Sequence, residues 1–227
     1  MSSTDKEMTF DDLPLVSEDF WSFLQRFGGM PEDYALDYIE EMSSRTGHHG
    51  IGHILFMLKL LKEVPIGLVH NLKLLTLAII YHDIVYNPGS ETNEEESCSC
   101  FEDSVTLHSG EPMSVKDIAY VRVLIKQAAK EMPGTDSIVY DDAMLLHDLD
   151  YAILGANWQS YLEYMMGIWA EYGKKYGIKK YIQGRLEFLQ GILKKEIFFN
   201  NWFKEKFGKA VAENVEREIG ILSVDFH

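Results

Sequence analysis

The sequence predicts an all-α protein folded as one helical domain of about ten helices. Three observations predict it. Apolar residues recur at three- and four-residue steps along most of the chain, as they do on one face of a helix. The stretch from Leu72 to Tyr81 is apolar on almost every side, which suits a helix in the middle of a core. No run alternates strictly at period two, so strands are expected to be few.

Taken in order, the first 14 residues are polar and acidic and are expected to be loose, with the domain running from 15 to 227. Helices are expected near 17–27, 31–44 and 49–62, the third carrying two histidines. The next, near 68–84, contains the apolar decapeptide, and another near 92–108 opens on Asn93-Glu94-Glu95-Glu96. The helix near 114–131 has Val115, Ile118, Val121, Leu124, Ile125 and Ala128 on one stripe. The helix near 138–154 sets His147-Asp148-Leu149-Asp150 among apolar neighbours. The segment near 158–176 repeats the helical period through Tyr161, Tyr164, Met165, Ile168, Trp169 and Tyr172. A helix near 178–194 comes after it. The last, near 200–219, carries Trp202, Phe203, Phe207, Ala210, Val211 and Val215. Prolines fall at segment edges, as in Val64-Pro65, Asn87-Pro88 and Met132-Pro133-Gly134, where turns are expected. There is no internal repeat and no low-complexity tract.

Composition narrows the function classes. With 227 residues, 46% of them hydrophobic, the chain can bury roughly 70% of its unfolded surface without staples. Its two cysteines, Cys98 and Cys100, are too close for an easy disulfide and lack a second pair for a zinc knuckle. Free thiols in a reducing compartment are therefore expected. No apolar run is long enough for a membrane span, and the start has no signal-peptide core, so a cytoplasmic location is expected. A net charge of −15 argues against binding a nucleic-acid backbone. It also means that any phosphate site must import positive charge, and a bound metal is the economical source.

Four short stretches carry candidate chemistry. In Arg45-Thr46-Gly47-His48-His49-Gly50-Ile51-Gly52-His53, His49 and His53 lie four apart, so on a helix they share a face. Tyr81-His82-Asp83 ends the very apolar helix, and a carboxylate buried there needs a cation or strong donors. The third is Asn93-Glu94-Glu95-Glu96, and the fourth is His147-Asp148-Leu149-Asp150. Imidazoles and carboxylates meeting from three helices suit Zn, Mn, Fe, Co, Ni or Mg, with positions left for water and substrate. Asp148 and Asp150 point about 200° apart on a helix, so both cannot face one metal.

The order His, then His-Asp, then Asp on successive helices resembles the HD phosphohydrolase superfamily. The finer pattern resembles one branch of predicted HD phosphohydrolases. The stretches that carry it are His48-His49-Gly50-Ile51-Gly52-His53, Tyr81-His82-Asp83-Ile84-Val85-Tyr86, Asn93-Glu94-Glu95-Glu96-Ser97 and Asp148-Leu149-Asp150-Tyr151-Ala152-Ile153-Leu154-Gly155. Gly184-Arg185 ahead of a long helical segment also fits. The resemblance spans roughly residues 18–205, with His48 standing where the branch usually has Tyr.

The resemblance implies an HD-type fold and a divalent-metal phosphohydrolase acting on a small phosphorylated compound, a nucleotide among the options. It is similar, at its first stretch, to the cyclic-nucleotide phosphodiesterase site. That similarity implies His49 as the proton donor to the leaving oxygen and His53 as a metal ligand, with His82 and Asp83 completing one side. The last ligand is Asp150 or Asp148, and the residues after Asp150 match the branch better. On that reading Asp148 is left, with Arg185, for substrate binding. The alternative makes His49 the ligand and moves His53 behind it. Glu94 is a candidate to hold a metal-bound water or a ligand histidine. Arg45, and Lys126 with Lys130, are further candidates to face an anion. Trp158, Tyr161 and Trp169 are expected to be core packing. Two rival functions stand beside hydrolysis: a regulatory module that binds metal or nucleotide without turnover, and an HD-type di-iron oxygenase drawing extra ligands from His48, His147 or Asp148. No P-loop, GxGxxG or GxSxG motif is present.

Overall fold

The computed structural model describes residues 8–14, 23, 32–107, 113–127 and 138–224. Within them the chain is all helical, with no strand. Among these residues, nine helices of ten residues or more carry the fold. They are α1 (Glu32–Ser44), α2 (Ile51–Leu61), α3 (Leu72–Tyr81), α4 (Asn93–Leu107), α5 (Val115–Gln127), α6 (Ile138–Tyr151), α7 (Trp158–Ile168), α8 (Ile178–Ile192) and α9 (Asn201–Val224). The helix expected near 17–27 lies outside the described residues except for Phe23, which is buried. In residues 8–14, Asp12 accepts hydrogen bonds from the backbone and hydroxyl of Thr9, and Met8 and Leu13 are buried.

The apolar decapeptide sits where its composition requires. Every residue of α3 from Leu74 to Tyr81 is buried, and α3 packs on α2, α4, α5 and α6. Burying a Leu or Ile side chain is worth roughly 1.5–3 kcal/mol, so this one helix organises much of the core. It is shorter than the expected 68–84 at both ends, for polar reasons. At the start, Asn71 caps the helix by accepting from the Leu74 backbone, and buried Asp142 takes the backbone N–H groups of His70 and Asn71. At the end, the chain leaves the helix after His82, and Arg45 collects the carbonyls of Asp83 and Ile84.

A second group of helices closes the other side. The long α9 packs on a 3-10 turn at Ala152–Gly155 and on α8. The segment expected as one helix near 158–176 is interrupted. After α7 the backbone widens into a π-helical turn over Trp169–Gly173, then continues as Lys174–Tyr176. Gly173 leaves the room that the Trp169 ring occupies in this wider turn. A π turn inserts one residue and rotates the downstream helix, and such turns concentrate at functional positions.

Candidate metal centre and its cavity

Three helices deliver the central group. His53 comes from the first turn of α2, His82 from the C-cap of α3, and Asp150 from the last turn of α6. One ligand atom from each lies within 4.8 Å of the other two, an arrangement able to hold a metal ion. The polar atoms fit that use. His82 gives its Nδ1–H to the carbonyl of Ile79 at 2.8 Å, which leaves Nε2 as the nitrogen able to bind a metal once it gives up its proton. His53 Nε2 is 3.0 Å from Asp150 Oδ1, and His82 Nε2 is 3.1 Å from Asp83 Oδ2. Both contacts are short but wrongly directed for a ring N–H···O bond, so both nitrogens of His53 and Nε2 of His82 are buried without a hydrogen-bond partner. An orphaned buried polar atom costs about 1–3 kcal/mol. One nitrogen from each ring, together with an Asp150 oxygen, fits a set of ligand atoms around a shared cation.

Electrostatics follow the same layout. Burial alone would lower His82, but the neighbouring Asp83 carboxylate outweighs it and pushes the imidazole up to about 9. Burial would raise Asp83, yet the His82 imidazole holds its carboxyl well below the usual range. Asp150 is likewise held low, because His53 beside it outweighs burial. The site therefore keeps two carboxylates ionised at neutral pH. Asp83 sits between the rings, 4.0 Å from His49 Nε2 as well.

His49 stands apart from the converging trio. Its Nδ1 is 2.8 Å from Glu171 Oε2, and its backbone N–H donates to Glu171 Oε1 at 2.9 Å. Its ring stacks on Tyr86 with centroids 3.6 Å apart. Nδ1–H is thus committed to a carboxylate, and Nε2 is the nitrogen turned toward Asp83. Glu171 was not legible in the sequence, because it reaches His49 only through the π turn. Two glycines make the approach possible: a Cβ at Gly47 would collide with the Glu171 side chain, and one at Gly167 would lie 2.7 Å from the His48 backbone nitrogen. The His48 ring packs against His53 at 4.3 Å and Tyr164 at 4.7 Å, and burial holds its imidazole well below the ordinary histidine value.

His48, His49, His82, Asp83 and Asp150 line a cavity of about 690 Å³, within the range of small-molecule sites, while His53 and Glu171 stand behind its wall. Glu94 lines it from the first turn of α4 and makes no hydrogen bond to a site histidine among the described residues. The rest of the Asn93–Ser97 motif does something else. Asn93 bonds both ways to the backbone of Asn87, and Ser97 bonds both ways to the backbone of Val85. Four residues apart on one helix face, they fasten the chain just beyond His82-Asp83.

Several expected roles are corrected by geometry. Asp148 is fully buried and accepts from the backbone of Phe199 and Asn200 and the Asn200 amide, each at 2.8 Å. It anchors the entry to α9 and does not line the cavity, because two residues of helix turn it away from Asp150. His147 goes the same way, bonding the Ile197 carbonyl at 3.1 Å and stacking on Tyr151. Arg185 reaches the cavity wall, but its Nε and Nη2 are taken by the two oxygens of Glu218, at 2.8 and 3.1 Å, and its Nη1 by the Tyr164 hydroxyl. Its planar fork is an internal ion pair, not an open phosphate clamp. Arg45 is spent on the carbonyls of His49, Asp83 and Ile84 and on Glu41. Lys126 pairs with Glu95, and Lys130 lies outside the described residues. Tyr161 is core, and half-buried Trp158 stacks on it, but Trp169 is 40% exposed and packs edge-on against Tyr181, so the expectation of core packing fails for Trp169.

Glu218 was missed, yet a signal existed. Val211, Val215 and Glu218 fall on one helical stripe, as do Tyr181, Ile182, Arg185 and Leu189 on α8, and all are buried. A charge on each of two apolar stripes announces a buried pair.

Comparison with protein-family models, with curated proteins and with solved structures finds no match to this chain.

Proposed function

We propose that the chain is a metal-dependent phosphohydrolase acting on a small phosphorylated compound. The observation that carries this reading is the convergence of His53, His82 and Asp150, with both imidazoles presenting a buried nitrogen that lacks a hydrogen-bond partner and with His82 and Asp150 lining an open cavity. The mixed nitrogen and oxygen donor set suits Zn, Mn, Fe, Co or Ni. A divalent cation held there supplies charge neutralisation for a phosphoryl group and a water acidic enough to attack at neutral pH.

The remaining work belongs to the chain's own side chains. Asp83, ionised and between His82 and His49, completes the negative cradle. Glu171 accepts from His49 Nδ1, so Nε2 is the atom that carries a proton to the leaving oxygen. Tyr86 fixes the plane of that ring by stacking. Arg45 ties the His49 carbonyl to those of Asp83 and Ile84, so the proton donor and the cradle move as one piece. Glu94, also on the cavity wall, is placed to accept from a water or a substrate hydroxyl.

The test is elemental analysis of purified protein, then a phosphatase screen with Mn, Mg, Co, Ni and Zn. Retained metal with phosphate release supports the reading. Retained metal with no turnover on any phosphate ester assigns a binding module instead. Two histidines and a carboxylate are also the donor set of mononuclear iron oxygenases. Oxygen uptake with iron and no phosphate release would assign that chemistry.

A further inference from the structure

The cavity wall says what kind of organic group it accepts. Much of it is aromatic, with Tyr86, Tyr172, Tyr176, Tyr151, Tyr164 and Phe188 all lining it. The hydroxyls of four of these rings are engaged within the protein. Tyr86 and Tyr172 bond each other at 2.7 Å, Tyr164 accepts from Arg185, and Tyr176 donates to the Pro88 carbonyl. What these rings offer a ligand is their faces and edges. The side-chain amide of Asn93 is spent on Asn87, and the Ser90 hydroxyl is paired with Thr92. Asn93 is the one amide side chain on the wall among the described residues, so with it engaged the wall lacks an open amide to pair with a nucleobase edge and is left with tyrosine hydroxyls.

Charge sets a second limit. Asp83, Glu94 and Asp150 contribute three carboxylates to the wall. Arg185 is neutralised by Glu218. Lys180, exposed and therefore screened by salt, is the one other lysine or arginine on the wall among the described residues. A bound divalent cation balances the roughly two negative charges of a phosphomonoester. Every further phosphoryl group would face carboxylates with only Lys180 to answer it.

We infer that the substrate is a phosphomonoester with a flat, uncharged, ring-bearing body, and that polyphosphates are disfavoured. This rests on the phosphohydrolase reading above and names its substrate class.

The experiment uses the full chain loaded with Mn and compares 2-naphthylmethyl phosphate, ethyl phosphate and tripolyphosphate. The first two leave as alcohols of similar acidity, so a difference between them reports the body and not the chemistry. Ring stacking and apolar burial should give the naphthyl ester at least about a tenfold higher kcat/KM than ethyl phosphate, carried mostly by KM. Tripolyphosphate should be the poorest of the three. Phe188→Ala, at a partly exposed position, should shrink the naphthyl advantage several-fold. Calorimetry with 2-naphthylmethylphosphonate and methylphosphonate gives a readout free of turnover. Equal kcat/KM for the two esters, or a preference for tripolyphosphate, overturns the substrate class and leaves hydrolysis standing. No turnover, with the naphthyl phosphonate still binding about tenfold tighter, keeps the ligand class and removes the hydrolase reading. No turnover and no phosphonate binding by protein that retains metal removes both.

Discussion

His82 is held at one ring nitrogen by the Ile79 carbonyl and left open at the other, which makes it the pivot of the centre. His82→Ala or Asp150→Asn should cut metal retention by well over about tenfold, read by elemental analysis, with helical circular dichroism unchanged. Unchanged retention in both would remove the centre. The metal-free protein should also show a signature in pH. His82 rises from 6.5 to about 9 on folding, so its protonated form stabilises the fold fully below pH 6.5 and loses that effect as pH rises through 9. Asp83 is held low, so its contribution is present above about 3.8 and fades as pH falls. The Tm of chelator-treated protein should therefore decline between pH 6.5 and 9, and the decline should flatten in His82→Ala. Metal uptake at pH 7 should release close to one proton, measured by calorimetry in buffers of different ionisation enthalpy. Glu171 acts through His49. Glu171→Gln should lower kcat by about 10²-fold or more, shift the pH profile and leave metal content intact. A fall in metal content would make Glu171 part of the metal cradle instead.

At the scale of elements, the site is a meeting of helix ends. His53 opens α2, His82 and Asp83 close α3, Asp150 closes α6, and Glu171 sits in the π turn after α7. Helix ends are where backbone groups need partners, and side chains here supply them. Asn93 and Ser97 fasten the backbone after His82-Asp83, and Arg45 takes its carbonyls. Ser97→Ala would leave the Val85 N–H and C=O without that hydroxyl, and should cost about 1–3 kcal/mol in denaturant unfolding. It should also weaken metal binding, because the loop carrying Asp83 loosens. Stability at the wild-type level would show that the motif's serine is not a fastener. Gly167→Ala places a methyl against the His48 backbone and should lower Tm for steric reasons alone.

Across the whole molecule, one buried pair joins the two helices behind the cavity. Arg185 on α8 and Glu218 on α9 are 6% and 0% exposed, and Tyr161 and Tyr164 from α7 complete the network. Removing one partner strands a buried charge. Glu218→Ala should destabilise by about 3–5 kcal/mol, while Arg185→Met with Glu218→Leu should recover most of that loss. Urea titrations of the single and double variants read the difference, and an equal loss in both would mean that packing, not charge, holds α8 to α9. The acidic balance of the chain, −15, adds a further reason for a cation at the centre. A phosphate approaching this surface meets repulsion until positive charge is supplied locally.

The chain's own order of residues was enough for the all-helical class, because periodicity is a local property and each stripe declares itself within a few turns. The decapeptide at α3 announced its burial in the same way, and the angular separation of Asp148 and Asp150 came directly from helix geometry. What needed three dimensions was every pairing between distant segments. Arg185 could be seen on an apolar stripe, but only the packing of α8 on α9 brought Glu218 to its fork. Glu171 lies 122 residues from His49, and a single inserted residue in the π turn sets its direction. Such an insertion is offset by tertiary contacts at Gly47 and Gly167, with Gly173 leaving local room for the Trp169 ring.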